Sequence, residues 1–109
     1  NLIIAVDSTF ITIGKEELQV SGMTLFPNPF SLETTLSFDV TSQSQVQVTI
    51  FNSQMQTIKT LVDQNLPSGL VQLTWDGTDE AGRFQPPGIY FITIQTEDGA
   101  ISRKLIRIQ

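Results

Sequence analysis

With 109 residues the chain can bury one modest core, and without cysteine that core has neither a disulfide framework nor a thiolate metal site behind it. Histidine is absent too, which removes the commonest general base and zinc ligand and the usual partner of a nucleophilic serine. Eleven acidic against six basic residues give a formal charge of −5, the wrong sign for a surface that grips nucleic acid or anionic lipid.

Residues 2–6 and 10–13 are short apolar runs separated by Asp7 and Ser8. Neither approaches the roughly 20 residues that span a bilayer, and the first lacks the basic flank and the length of a signal peptide, so no membrane insertion is expected. The pair reads as a hairpin or as the last strand of a preceding domain. Residues 14–22 mix charge with small side chains and read as a linker. Because residue 1 is Asn rather than Met, the chain reads as the C-terminal part of something longer. Residues 1–22 are then the end of a preceding domain with its linker, and residues 23–109 one further domain.

Leu25-Phe26-Pro27-Asn28-Pro29-Phe30 is expected to be a short edge strand ended by two prolines, a strand-to-strand corner whose Phe26 and Phe30 plug one end of the fold. A proline-rich ligand segment is the alternative. From here the period is two. Leu36, Phe38 and Val40 share one face; after a turn at residues 41–44, so do Val46, Val48 and Ile50. Residues 52–56 turn the chain into residues 57–62, where Ile58 and Leu61 break strict alternation. Residues 66–69 turn it again into Val71, Leu73 and Trp75.

A polar stretch rich in glycine and proline, residues 76–88, separates Trp75 from Tyr90, Ile92 and Ile94. Asp98-Gly99 closes a hairpin into the last strand, residues 101–108, where Ile106 and Ile108 fall on the same side as Lys104. Seven short strands and no segment of helical periodicity predict an all-β fold, an antiparallel sandwich. Trp75 and Tyr90 belong to its core. Phe51 and Phe91, of opposite parity, are candidates for a partly exposed contact surface.

Asp76, Thr78, Asp79 and Glu80 crowd oxygen atoms into five residues, and Asp76, Asp79 and Glu80 are weak candidates for calcium. Their spacing departs from the EF-hand loop, and the same residues serve as turn chemistry beside glycine. No other cofactor is implied. Arg103, Lys104 and Arg107 make the C-terminus basic, either to meet an acidic receptor or to deter edge pairing.

Taken together, Leu25-Phe26-Pro27-Asn28-Pro29-Phe30, then Trp75-Asp76-Gly77 with Asp79 and Gly82, then Pro87-Gly88-Ile89-Tyr90, then Lys104-Leu105-Ile106, resemble the type A C-terminal sorting domain of the type IX (Por) secretion system. The resemblance covers roughly residues 23–109 and lies in the order and spacing of the four motifs. It implies an immunoglobulin-like sandwich of about seven strands that is no enzyme but an export address. Its partners would be the outer-membrane translocon and sortase components of that system, with weak self-association besides. The cargo would cross the periplasm and end secreted or on the cell surface. Carried over residue by residue, the receptor contacts would be Pro27, Asn28 and Pro29, then Gly88 and Tyr90, then Lys104, Leu105 and Ile106, with cleavage in the linker at residues 14–22. The central stretch is equally similar to the Ig-like domain of the flagellar hook-capping protein, which has a scaffolding role. A carbohydrate-binding or adhesive module and a structural spacer are the other readings.

Overall fold

The computed structural model describes residues 20–109 in full and, before them, the backbone of two strands, β1 (Leu2–Ala5) and β2 (Phe10–Gly14). The remaining strands are β3 (Val20–Phe26), β4 (Thr34–Val40), β5 (Ser44–Asn52), β6 (Thr57–Leu66), β7 (Gly69–Trp75), β8 (Gly88–Thr96) and β9 (Gly99–Arg107). Every pairing is antiparallel. One sheet runs β1-β2-β9-β8-β5-β6 and the other β3-β4-β7, and no helix occurs among the described residues. The seven strands from β3 onward are those the alternation predicts, split three against four into an immunoglobulin-like sandwich.

Alternation fixes which side chains meet between the sheets. Leu36, Phe38 and Val40 from one sheet face Val46, Val48, Ile50, Ile92 and Ile94 from the other, each at most 2% exposed. A slip of one residue in any of these strands would move its whole apolar set into water, so burial itself sets the register. β6 breaks alternation because its pairing with β5 shifts twice, between Val48 and Thr49 and between Ile50 and Phe51. Such bulges turn Ile58, Leu61 and Val62 into half-buried rim residues.

Four expectations need correction. Phe26 does not plug the sandwich: it is 78% exposed, whereas Leu25, of opposite parity, and Phe30, beyond the corner, are buried. β3 starts at Val20, which is buried and pairs with Val40, so the domain takes in residues assigned to the linker; the rest of that linker, residues 15–19, lies outside the described residues. The last strand shows its odd face inward: Leu105 is fully buried, and Ile108 is nearly half exposed. Finally, Glu97 and Asp98 form the two-residue loop of the last hairpin, and Gly99 opens β9 opposite Thr96.

At the free end, β2 pairs with β9 over Phe10–Gly14, and β1 pairs in turn with β2. The first two apolar runs therefore form a hairpin that extends the larger sheet.

Burial separates the phenylalanines into two energetic classes. Phe38→Ala is expected to lower the free energy of urea unfolding by about 3–5 kcal/mol, while Phe26→Ala changes it by no more than roughly 0.5 kcal/mol.

Candidate functional site: a clasp between the corner and the last strand

Two stretches that lie more than seventy residues apart in sequence are fastened together at one end of the sandwich. The Asn28 side chain spans two backbone groups of β9: its Nδ2 donates to the Lys104 carbonyl at 3.0 Å and its Oδ1 accepts from the Ile106 amide at 3.0 Å. Phe30 continues the contact as a short parallel bridge, its amide donating to the Ile106 carbonyl at 2.9 Å and its carbonyl accepting from the Ile108 amide at 2.7 Å. Proline on either side of Asn28 leaves that residue the only amide donor of the three, so the amide side chain supplies pairing that the backbone cannot. The buried hydroxyl of Thr34 donates to the Pro27 carbonyl at 2.7 Å and holds the other side of the corner.

Beneath the clasp lies an aromatic stack. Trp75 meets Phe30 at 5.6 Å between ring centroids and Tyr90 at 5.2 Å, edge to face. Its indole Nε1 donates to the Thr78 carbonyl at 2.8 Å, which satisfies the one polar atom of a ring that is 1% exposed. The Tyr90 hydroxyl donates to the Pro86 carbonyl and ties the start of β8 to the loop before it. Burial pushes the Tyr90 phenol above its ordinary range, with the nearby Arg107 charge acting in the opposite sense.

Residues 76–87 pack over this end as a strap. Arg107 reaches under it: Nη1 donates to the Gln85 carbonyl at 2.8 Å, and the guanidinium carbon stands 6.0 Å from the Phe84 ring. Gly77 is required here, since a Cβ at that position would sit 2.6 Å from Arg107 Nε and the backbone φ is +84°. Arg103 points the same way, its Nη1 donating to the Met23 carbonyl at 3.3 Å. The expectation of a basic, readable tail is thus corrected. Arg103 and Arg107 share the inward face with Leu105, and only Lys104 of the three presents an exposed side chain.

The calcium candidates do not converge. Asp76 Oδ1 accepts from the amide and hydroxyl of Thr78, Asp79 Oδ1 accepts from the Ala81 and Arg83 amides, and Glu80 Oε2 accepts from the Thr60 amide at 2.8 Å. Asp79 Oδ2 is engaged by Arg83 Nε at 3.2 Å. Among the described residues no group of three acidic side chains is placed to hold a metal ion. These carboxylates build the strap instead, as Asx turns and as a tether to β6.

Of the residues the resemblance points to, Pro27, Asn28, Pro29, Gly88 and Lys104 are exposed, and Ile106 is half-buried. Tyr90 and Leu105 are core residues at 3% and 0% exposure and cannot be touched by a partner without unfolding. β8 and β9 bring the motifs into register, with Gly88 opposite Arg107, Tyr90 opposite Leu105 and Ile89 opposite Ile106. Sequence reasoning took Arg107 as part of a basic tail, not as the inward side chain under the strap, and it missed Gln85 and Thr34. The alternation Ile101-Arg103-Leu105-Arg107 carries the signal for the inward direction of Arg107, once Leu105 is taken as the buried member.

The sequence model of the FlgD Ig-like domain matches residues 28–100, about two thirds of the chain, and the chain belongs to that family. None of the curated proteins matches it in sequence. Among solved structures it is similar to FlgD from P. aeruginosa, with 20% identity and a TM-score of 0.53, covering 68% of this chain and 65% of that one. FlgD from Xanthomonas campestris, described for its hook capping in flagellar assembly, gives 20% identity and a TM-score of 0.55 over 87% of this chain and 68% of that one. Dimeric latent PorU from Porphyromonas gingivalis gives 16% identity and a TM-score of 0.62 over 92% of this chain but only 12% of PorU. At these identities the likeness is one of fold. The chain spans about two thirds of the FlgD structures and an eighth of PorU.

Two outcomes follow from this geometry. Asn28→Ala leaves an amide and a carbonyl of β9 to water, and is expected to cost about 1 kcal/mol and to speed hydrogen exchange at the Ile106 amide more than at Ile94. The Asp76 carboxyl is held below its ordinary value of 3.8, first by the Thr78 hydroxyl, against the opposing effect of burial, with the Thr78 amide and Lys59 adding to the lowering. A depressed carboxyl stabilises the fold above its unfolded value and loses that contribution as pH falls through the folded one. Stability is therefore expected to fall as pH drops below 3.8, and Asp76→Asn to flatten that limb of the curve.

Proposed function

We propose that this FlgD-type Ig-like domain serves as a C-terminal sorting signal, read as a folded surface by the type IX secretion apparatus. The observation that supports this best is the clasp itself. Pro27, Asn28 and Pro29 and the Lys104 strand, two of the motifs that carry the sorting resemblance, are joined by paired hydrogen bonds into one patch. Pro27 and residues 104–106 fall outside the stretch matched by the FlgD Ig-like model, so family membership alone does not account for them. The likeness to part of PorU fits the same secretion context.

In this reading the receptor contacts are the exposed members of the motifs, Pro27, Asn28, Pro29, Gly88 and Lys104. Tyr90 and Leu105 act beneath them by holding β8 and β9 in place. The signal is a shape with one cation, not a linear tail. Cargo would be exported across the outer membrane and the domain removed or retained afterwards.

A second reading has its own support: the family match and the FlgD structures favour a scaffolding domain of the hook-capping kind. The two readings part in one experiment. All 109 residues are fused to the C-terminus of a periplasmic reporter in a bacterium with a working type IX system. Under the sorting reading the reporter reaches the medium or the cell surface, and Lys104→Glu holds it in the periplasm while leaving the melting temperature within a few degrees. A stable, folded fusion that stays in the periplasm rejects the sorting reading and leaves the scaffold. Deleting residues 104–109 is a poorer test, because it removes the fully buried Leu105 and both partners of Asn28 along with the signal.

A further inference from the structure

Away from the clasp, the outward face of the larger sheet carries an unusual run of uncharged hydrogen-bonding side chains. Thr60, Thr49, Thr93 and Ser102 lie opposite one another in a single row across β6, β5, β8 and β9. With strands about 4.8 Å apart this row is roughly 14 Å long. Two residues along the strands on one side, Gln47 faces Gln95; two residues along on the other, Phe51 faces Phe91. Gln47, Thr49, Phe51, Thr93 and Gln95 border a shallow depression of about 190 Å³, closed on the β6 side by Thr57 and Thr60, and Phe91 stands next to it as the cross-strand partner of Phe51.

The hydrogen-bonding capacity of this face is largely unspent. Thr93 and Ser102 bond to each other at 2.6 Å, but among the described residues the side chains of Gln47, Gln95, Thr49, Thr57 and Thr60 have no partner. Neighbouring polar residues differ: Gln43 bonds Asn65 at 2.7 Å and Gln45 bonds Asp63 at 3.0 Å. Among the described residues charge stands only at the margins, Asp63 beyond Gln47 and Lys104 beyond Phe91.

We infer that this depression binds an uncharged polysaccharide chain. Two amides can each donate to one hydroxyl and accept from the next, the threonine row offers groups that do either, and the Phe51–Phe91 pair gives the carbon-rich face of a sugar ring an apolar surface to lie on. An acidic polymer gains nothing at the centre of such a site. The inference stands on the sheet face alone and does not depend on the sorting reading.

The test is affinity electrophoresis of the whole chain through native gels containing hydroxyethylcellulose, xyloglucan, laminarin or polygalacturonate. At least one of the three neutral polymers is expected to retard the protein, with no loss of retardation when salt is raised. Gln95→Ala and Phe91→Ala should each weaken that binding roughly tenfold, whereas Phe26→Ala, remote from the face, leaves it unchanged. Because Gln95 is exposed, its variant separates a lost contact from a lost fold, which an unchanged melting temperature verifies. No retardation by any neutral polymer, retardation by polygalacturonate alone, or full binding by a folded Gln95→Ala protein would each overturn the inference.

Discussion

The edge-to-face contact of Trp75 with Tyr90, backed by Phe30, is the interaction on which the rest of the architecture turns. Each ring belongs to a different part of the chain: Phe30 to the corner after β3, Trp75 to the end of β7, Tyr90 to the start of β8. Large apolar rings at 1–3% exposure bring those three segments to one end of the sandwich, and burial of that size contributes more than any surface hydrogen bond nearby. The polar atoms of two of the rings then decide what the neighbouring loop must do. Trp75 Nε1 needs the Thr78 carbonyl and the Tyr90 hydroxyl needs the Pro86 carbonyl, so both ends of the strap at residues 76–87 are fixed from below.

Once the strap is fixed, the space beneath it sets the demands on Gly77 and Arg107. A guanidinium directly against a glycine Cα, with one arm on the Gln85 carbonyl and Phe84 nearby, keeps a charge at the sandwich end where an aliphatic side chain would leave a carbonyl without a donor. The three carboxylates of the strap are explained in the same way. Two of them serve the amides of Thr78, Ala81 and Arg83, which a bend of this tightness leaves without strand partners, and Glu80 accepts from the Thr60 amide of β6. A cluster of acids in sequence therefore becomes three separate caps in space.

The sandwich was legible in the sequence because two-residue alternation is a local property: Leu36-Phe38-Val40, Val46-Val48-Ile50 and Tyr90-Ile92-Ile94 declare their inner face without reference to a neighbour. What stayed hidden were features that only a partner strand decides. β9 offers two plausible faces, one with Lys104, Ile106 and Ile108, the other with Ile101 and Leu105 between arginines, and hydropathy favours the first. Pairing of Leu105 with Tyr90 selects the second, because an arginine whose guanidinium finds a carbonyl tolerates an inward position. Phe26 misled for a similar reason. It has the composition of a core residue, but Leu25 pairs with Leu36 facing inward, and adjacent strand residues cannot share a face. The clasp was legible only as motifs in order, since nothing in Asn28 alone says that its amide will span Lys104 and Ile106.

Lys104 joins the two surfaces described above. Its carbonyl is held by Asn28, while its side chain stands on the outward face of the sheet beside Phe91. The corner therefore does not merely lie near the cation; it pins the backbone from which the cation projects. Any partner that reads the lysine also reads whether the corner is closed, because a strand released from Asn28 and Phe30 would no longer hold that side chain at a fixed height above the sheet. A short linear peptide with the same residues lacks that coupling. Under the sorting reading proposed above, recognition of a closed clasp would thus discriminate a folded domain from an unfolded one with a single charged contact.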